Sequence, residues 1–115
     1  MKNIKNILNN GLYLVATPIG NLDDISLRAL KILRKSKLII CENPLHSLRL
    51  LKEYDIKKKL LSLHDYNEDI IINRVSKYLS KSIVCLISDS GSPLISDPGF
   101  KLVKYCIEKN IFVTS

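Results

Sequence analysis

The densest concentration of reactive side chains lies in one stretch. Residues 88–99 read SDSGSPLISDPG, which sets Asp89 and Asp97 among serines, Gly91, Gly99, Pro93 and Pro98. An aspartate directly after an apolar run can accept hydrogen bonds from an amino group or from ribose hydroxyls. Glycine beside it lets backbone approach a ligand closely. Asp97 has a local explanation: Asp-Pro at a helix start supplies an N-cap and a first helical residue whose missing N–H costs nothing. Nothing local requires an acid at Asp89, so Asp89 is the candidate for ligand contact. A second polar stretch, Thr17-Pro18-Ile19-Gly20-Asn21, also follows an apolar run and could line one side of a cleft. It is not GxGxxG, and the chain has no GxxxxGK[ST], so neither nucleotide-loop fingerprint is present.

Two histidines add imidazole groups, His46 near Glu42 and His64 next to Asp65. Their spacing matches no metal motif. His64 and Asp65 are read as substrate contacts or as turn chemistry, and as weak candidates for a catalytic base. There is no nucleophile elbow. Cys41, Cys85 and Cys106 form no CxxC pair, and each sits in an apolar run, where free cysteine behaves as a small core residue. Such usage points to a reducing, cytoplasmic compartment.

Positioning these groups requires a scaffold, and the hydrophobic pattern supplies one. Continuous apolar runs predict strands over 12–16, 37–41, 60–63 and 83–87, with a fifth beginning at 111–113. Helical periodicity predicts helices over 25–35, 46–54 and 68–79, and another opened by Asp97-Pro98-Gly99. Asp23 and Asp24 precede the first, where acids suit a helix N-terminus. The expected buried stripe of the last is Phe100, Val103, Cys106 and Ile107; that of the second is Leu48, Leu51 and Tyr54. Strands that are apolar throughout, alternating with helices, predict an α/β fold: a mostly parallel five-stranded sheet with helices on both faces. Ligands of such sheets bind outside the carboxyl ends of the strands. That rule selects the loops after residues 16, 41, 63 and 87.

The chain of 115 residues suits one compact domain, with residues 1–10 read as a loosely held tail and 11–115 as the domain. No apolar stretch approaches the ~20 residues of a membrane span, so no membrane partner is expected. Lys and Arg number 18 against 11 acidic residues, a net charge of +7 that attracts polyanions such as RNA. The basic residues are mostly lysines scattered through the predicted helices, as on a solvated face.

Four stretches, LYLVATPIGNLDDISLRAL, CENPLHS, LSLHDYNE and LISDSGSPLISDPGFKLV, stand in an order and spacing that resemble one family. It is the small-subunit ribosomal RNA cytidine 2′-O-methyltransferases of the tetrapyrrole methylase superfamily, in their N-terminal half. The resemblance runs from Gly11 to the end of the chain. It implies a two-domain methyltransferase that binds S-adenosyl-L-methionine between its domains, usually as a homodimer, with ribosomal RNA of the small subunit as substrate. By motif match, Pro18 lines the cofactor cleft and Ser88 and Asp89 meet the cofactor. Gly91, Ser92 and Pro93 complete that loop, and Leu94 or Ile95 gives the hydrophobic contact that follows. The second domain is expected to lie outside this chain. The sequence also departs from the family pattern: where the family reads EDTRHS, this chain has Glu42-Asn43-Pro44-Leu45-His46-Ser47, lacking an acid and an arginine. Two other readings stay open. One is a relative that methylates a tetrapyrrole ring, against which TPIGNL, HDYNE and the basic charge speak. The other is a non-catalytic remnant or binding domain.

Overall fold

The computed structural model describes residues 8–18, 21–64, 66–88 and 99–115. Five parallel strands form one sheet: β1 (Gly11–Ala16), β2 (Leu38–Cys41), β3 (Lys59–Ser62), β4 (Ile83–Ser88) and β5 (Val113–Thr114). Their spatial order is β3-β2-β4-β1-β5. Four helices connect them: α1 (Leu27–Lys35), α2 (Pro44–Glu53), α3 (Glu68–Leu79) and α4 (Phe100–Glu108). The expected parallel sheet with helices on both faces is therefore present.

The central strands are apolar on both sides because both sides are covered. Along β1, β2 and β4, alternate residues point to opposite faces. Tyr13, Val15, Ile39, Cys41, Cys85 and Ile87 pack against α1 and α2. Leu12, Leu14, Leu38, Ile40, Val84 and Leu86 pack against α3 and α4. Chain direction explains the division. The connections from β1 to β2 and from β2 to β3 travel one way across the sheet, and those from β3 to β4 and from β4 to β5 travel the other way. Right-handed crossovers then put the first two helices on one face and the last two on the other. All three cysteines are buried thiols outside any disulfide, as expected of core residues.

Several local expectations are corrected. Asp23 and Asp24 do not start α1; they lie in a short 3-10 turn (Leu22–Asp24) capped by Asn21, and Ser26 caps α1 by accepting from the Ala29 N–H. In α2 the buried residues are Ser47, Leu50 and Leu51, while Leu48 is exposed. In α4 they are Leu102, Val103 and Cys106, and Phe100 and Ile107 face outward. Gly99 occupies the cap position of α4; Asp97 and Pro98, expected to open it, lie outside the described residues. The proposed tail is described only from Leu8, which packs on the core, through Asn9, whose carbonyl accepts from the Tyr13 hydroxyl, to Asn10.

Candidate functional site

Strand β1 lies beside β4 along its whole length, in a register that pairs Ala16 with Ser88 at the carboxyl end. The chain leaves β1 toward α1 on one face and leaves β4 toward α4 on the other. Divergence of two neighbouring strands leaves a crevice between their exits, the usual ligand position in open α/β sheets. Thr17 ties the two exits together. Its backbone N–H and its hydroxyl both donate to the Ser88 carbonyl, at 2.9 and 3.1 Å. Thr17 and Ser88 are buried, Pro18 is half-buried, and Ala16 is exposed.

The exit of β2 joins the same group. Asn43 caps α2 by accepting from the His46 N–H at 3.2 Å, and Pro44 occupies the first turn. The His46 Nε2 lies 3.1 Å from the Pro18 carbonyl. A carbonyl only accepts, so Nε2 carries the proton in this contact. The unusual Asn43-Pro44 pair thus still makes a well-capped helix, because asparagine caps as well as aspartate. In the first turn of α2, the fully buried Ser47 hydroxyl has no hydrogen-bond partner among the described residues.

The exit of β3 stands apart. β3 is an edge strand beyond β2, so its exit is separated from that of β4 by the whole of β2. His64 is exposed. Its backbone N–H donates to Asn67 Oδ1 at 2.8 Å, and its Nδ1 faces the Tyr66 N–H at 3.4 Å. The structure shows His64 in the turn that leads into α3.

Of the residues expected at the site, then, Pro18 and Ser88 come together and His64 does not join them. Asp65, Asp89, Gly91, Ser92, Pro93, Leu94 and Ile95 lie outside the described residues. Residues 89–98 are nonetheless bracketed by described ones, Ser88 at one end and Gly99 at the other. Gly99 is held by Glu68, whose carboxyl accepts from the Gly99 and Leu102 N–H groups at 3.0 and 3.1 Å. Glu68 is only 6% exposed, and it sits at the N-terminus of α4, where negative charge is favoured. Sequence reasoning placed the Thr17 loop at the cleft but not its bonds to Ser88, and it missed the contacts of His46 and Glu68. An acid in the first turn of a helix reads as a partner of that helix's own dipole, and nothing in the pattern signals that it caps a different one.

A hollow of about 220 Å³ opens beside Ala16, with Ser26 and Arg28 on its rim. Exposed Leu27, Leu45, Tyr66 and Phe100, all at or next to helix starts, add apolar surface at this end of the sheet. Among the described residues no three His, Cys, Asp or Glu side chains gather as metal ligands.

A parallel α/β sheet whose neighbouring β1 and β4 exits part toward opposite faces defines a domain of the open-sheet α/β class. The chain belongs to the tetrapyrrole (corrin/porphyrin) methylase family, whose model matches residues 11–114. It is 51% identical over 104 residues to ribosomal RNA small subunit methyltransferase I of Mesomycoplasma conjunctivae, covering 89% of this chain and 44% of the relative. It is 52% identical over 103 residues to the protein of the same name from Haemophilus influenzae, covering 89% of this chain and 36% of the relative. The chain thus spans less than half the length of these relatives. A solved uroporphyrin-III C-methyltransferase from Thermus thermophilus, complexed with S-adenyl homocysteine, has the same fold at 15% identity and a TM-score of 0.64. It aligns with 91% of this chain, which covers 43% of it.

Proposed function

We propose that this chain is the N-terminal, cofactor-holding part of an S-adenosylmethionine-dependent methyltransferase that modifies the 2′-hydroxyl of a cytidine in small-subunit ribosomal RNA. The observation that carries the reading is the joined exit of β1 and β4: Thr17 bonded twice to the Ser88 carbonyl, with Pro18 following Thr17 and residues 89–98 following Ser88 in the chain. The names of relatives at 51% and 52% identity support ribosomal RNA rather than a tetrapyrrole as the substrate. In this reading residues 11–115 are the first of two domains, and the second completes the cleft. The full protein is a cytoplasmic homodimer.

The residues present suit the cofactor. Thr17 and Ser88 are buried polar groups at the crevice. Asp89, Gly91, Ser92 and Pro93 follow in the segment that would meet the amino acid or ribose portion, and Leu94 or Ile95 adds an apolar contact. When bound, S-adenosylmethionine supplies a methyl group carried on a sulfonium. The chain contributes position: a fixed pair of strand ends holds that segment, and orientation of reactants lowers barriers by as much as ~7–11 kcal/mol in the best cases. His64 and Asp65 are the candidates for moving the ribose proton.

Titration calorimetry of the chain with S-adenosylmethionine and S-adenosylhomocysteine tests the reading. Saturable binding that weakens at least ~10-fold in Asp89→Ala, as removal of charge-assisted hydrogen bonds requires, is expected. Binding that is indifferent to both Asp89→Ala and Ser88→Pro would sink it. In the full protein, unchanged methyl transfer by His64→Ala would remove His64 from the mechanism.

A further inference from the structure

The opposite end of the sheet carries a second feature, built from residues that are scattered in sequence. Strands β2 and β3 start in register, Leu38 beside Lys59, and α3 returns antiparallel to them. Its last turns therefore meet the strand starts. There Lys59, Arg74, Lys77 and Tyr78 line a groove of about 120 Å³ floored by Leu38 and Leu61. The Tyr78 ring holds two ammonium groups near it, Lys77 at 5.3 Å and Lys37 at 5.8 Å from its centre. Cation–π attraction restrains both long side chains and keeps their charges at the groove. A shallower hollow of about 480 Å³ continues past the start of β4 and brings in Lys35, Lys37 and Lys81. Among the described residues no aspartate or glutamate lines either hollow.

We infer that this end of the domain is an anchoring surface for the phosphate backbone of RNA. Clustered, uncompensated lysine and arginine beside an aromatic ring is the footprint of nucleic-acid binding. An anionic membrane would attract the same charges. Stable membrane docking, however, also needs apolar side chains to insert beside the charges. Among the described residues, the exposed large apolar ones at this end, Ile107 and Phe112, lie by α4 and β5, toward the sheet edge opposite β3, and no exposed apolar side chain lines the groove. The longest strands, β1 and β4, span about 20 Å, so RNA held here is gripped well away from the crevice. The groove would hold a segment distant from the nucleotide being modified. The choice of RNA as occupant rests on the ribosomal reading; the charge cluster does not.

Two triple variants of the chain with equal change in charge test the inference. K59Q/R74Q/K77Q empties the groove, and R49Q/K101Q/K104Q removes three exposed cations elsewhere. Binding of a mixed-sequence single-stranded RNA is measured against salt, with S-adenosylmethionine binding measured on the same proteins. The groove variant should bind RNA at least ~10-fold more weakly. Its log-affinity against log-salt slope should be shallower by about 2, since each phosphate no longer neutralised on a single strand takes away ~0.7. The control should match the parent, and cofactor binding should be equal in all three. Equal weakening in both variants, or in neither, overturns the inference. So does groove-dependent binding to phosphatidylserine vesicles without groove-dependent RNA binding. Failure of the full two-domain protein to bind cofactor strikes the methyltransferase reading and leaves the RNA result standing. K37Q/K81Q, with both changes outside the helix, repeats the test should the first variant prove unstable by thermal melting.

Discussion

Thr17 shows how one side chain can hold a functional crevice together. Its hydroxyl donates to the Ser88 carbonyl, which also accepts from the Thr17 N–H. Thr17→Val keeps the shape and removes the hydroxyl donor to that carbonyl. The expected cost is about 1 kcal/mol in urea unfolding, the usual net value of one such bond. Cofactor affinity should fall further than stability does, because the strand exits lose one of their two bonds. The cysteines report on burial instead. Burial pushes the Cys85 thiol up to about 12, against the pull of the Ser36 hydroxyl 2.8 Å away, and pushes Cys106 to about 11. In the unfolded chain both would ionise near 9.0. Above that pH the unfolded state binds fewer protons than the folded one, so stability falls as pH rises. The contribution is complete below about 9 and is lost through the window up to about 11 and 12. Urea midpoints measured from neutral to alkaline pH should decline there, less steeply in Cys85→Ala after allowance for its lower baseline. The buried nature of these thiols was legible in the sequence, since each stands in an apolar run. The role of His46 was not: its partner is the carbonyl of Pro18, 28 residues away, and a backbone carbonyl leaves no mark in the side-chain pattern.

At the scale of elements, helix ends decide how the strands are joined. Both α2 and α4 finish in left-handed residues that are not glycine, Asp55 at φ 55° and Asn110 at φ 57°. In each case the next residue's N–H reaches back to close the turn, Ile56 to Leu51 and Ile111 to Cys106, both at 2.8 Å. Asp55→Gly should therefore stabilise the chain by about 0.5–1 kcal/mol in thermal or urea melts, because glycine adopts positive φ without strain. An α4 start held from outside is a larger effect. Glu68→Ala would strand the Gly99 and Leu102 N–H groups in a buried setting, and about 3 kcal/mol of destabilisation is expected; Glu68→Gln, which keeps an acceptor, should cost about 1 kcal/mol. A cofactor Kd that worsens in Glu68→Ala would show that the anchor also sets where residues 89–98 rejoin the fold. Element type was legible nearly everywhere, because runs such as IVCLI and the Ile71, Val75, Leu79 repeat admit one period each. The stripe of α4 was not: Phe100 and Ile107 suit a buried face by hydropathy, yet the helix turns Leu102 inward and leaves them in solvent.

At the scale of the whole molecule, parallel pairing followed from strands that are apolar on both faces, while the order β3-β2-β4-β1-β5 did not. Nothing in a strand's own residues says which neighbour it takes; the adjacency of the β1 and β4 exits was expected from the family resemblance, which put Pro18 and Ser88 at one cleft, and not from the strands themselves. The basic residues behaved in the same way: lysines that look dispersed along the chain meet because α3 ends where β2 and β3 begin. The sheet consequently has two unlike ends. Crevice, polar strand exits and apolar rim lie at the carboxyl ends of the strands; the lysine and arginine groove lies at the other. About 20 Å of strand separates the two ends, so ligands held at them share no contact residues. Saturating S-adenosylmethionine should therefore leave the RNA affinity of the chain unchanged within about twofold, and RNA should leave the cofactor Kd unchanged to the same degree, as reciprocity demands. Anisotropy titrations with and without the cofactor make the comparison directly. A shift of about tenfold in either direction, ~1.4 kcal/mol of coupling, would mean that the two ends do not bind their ligands independently.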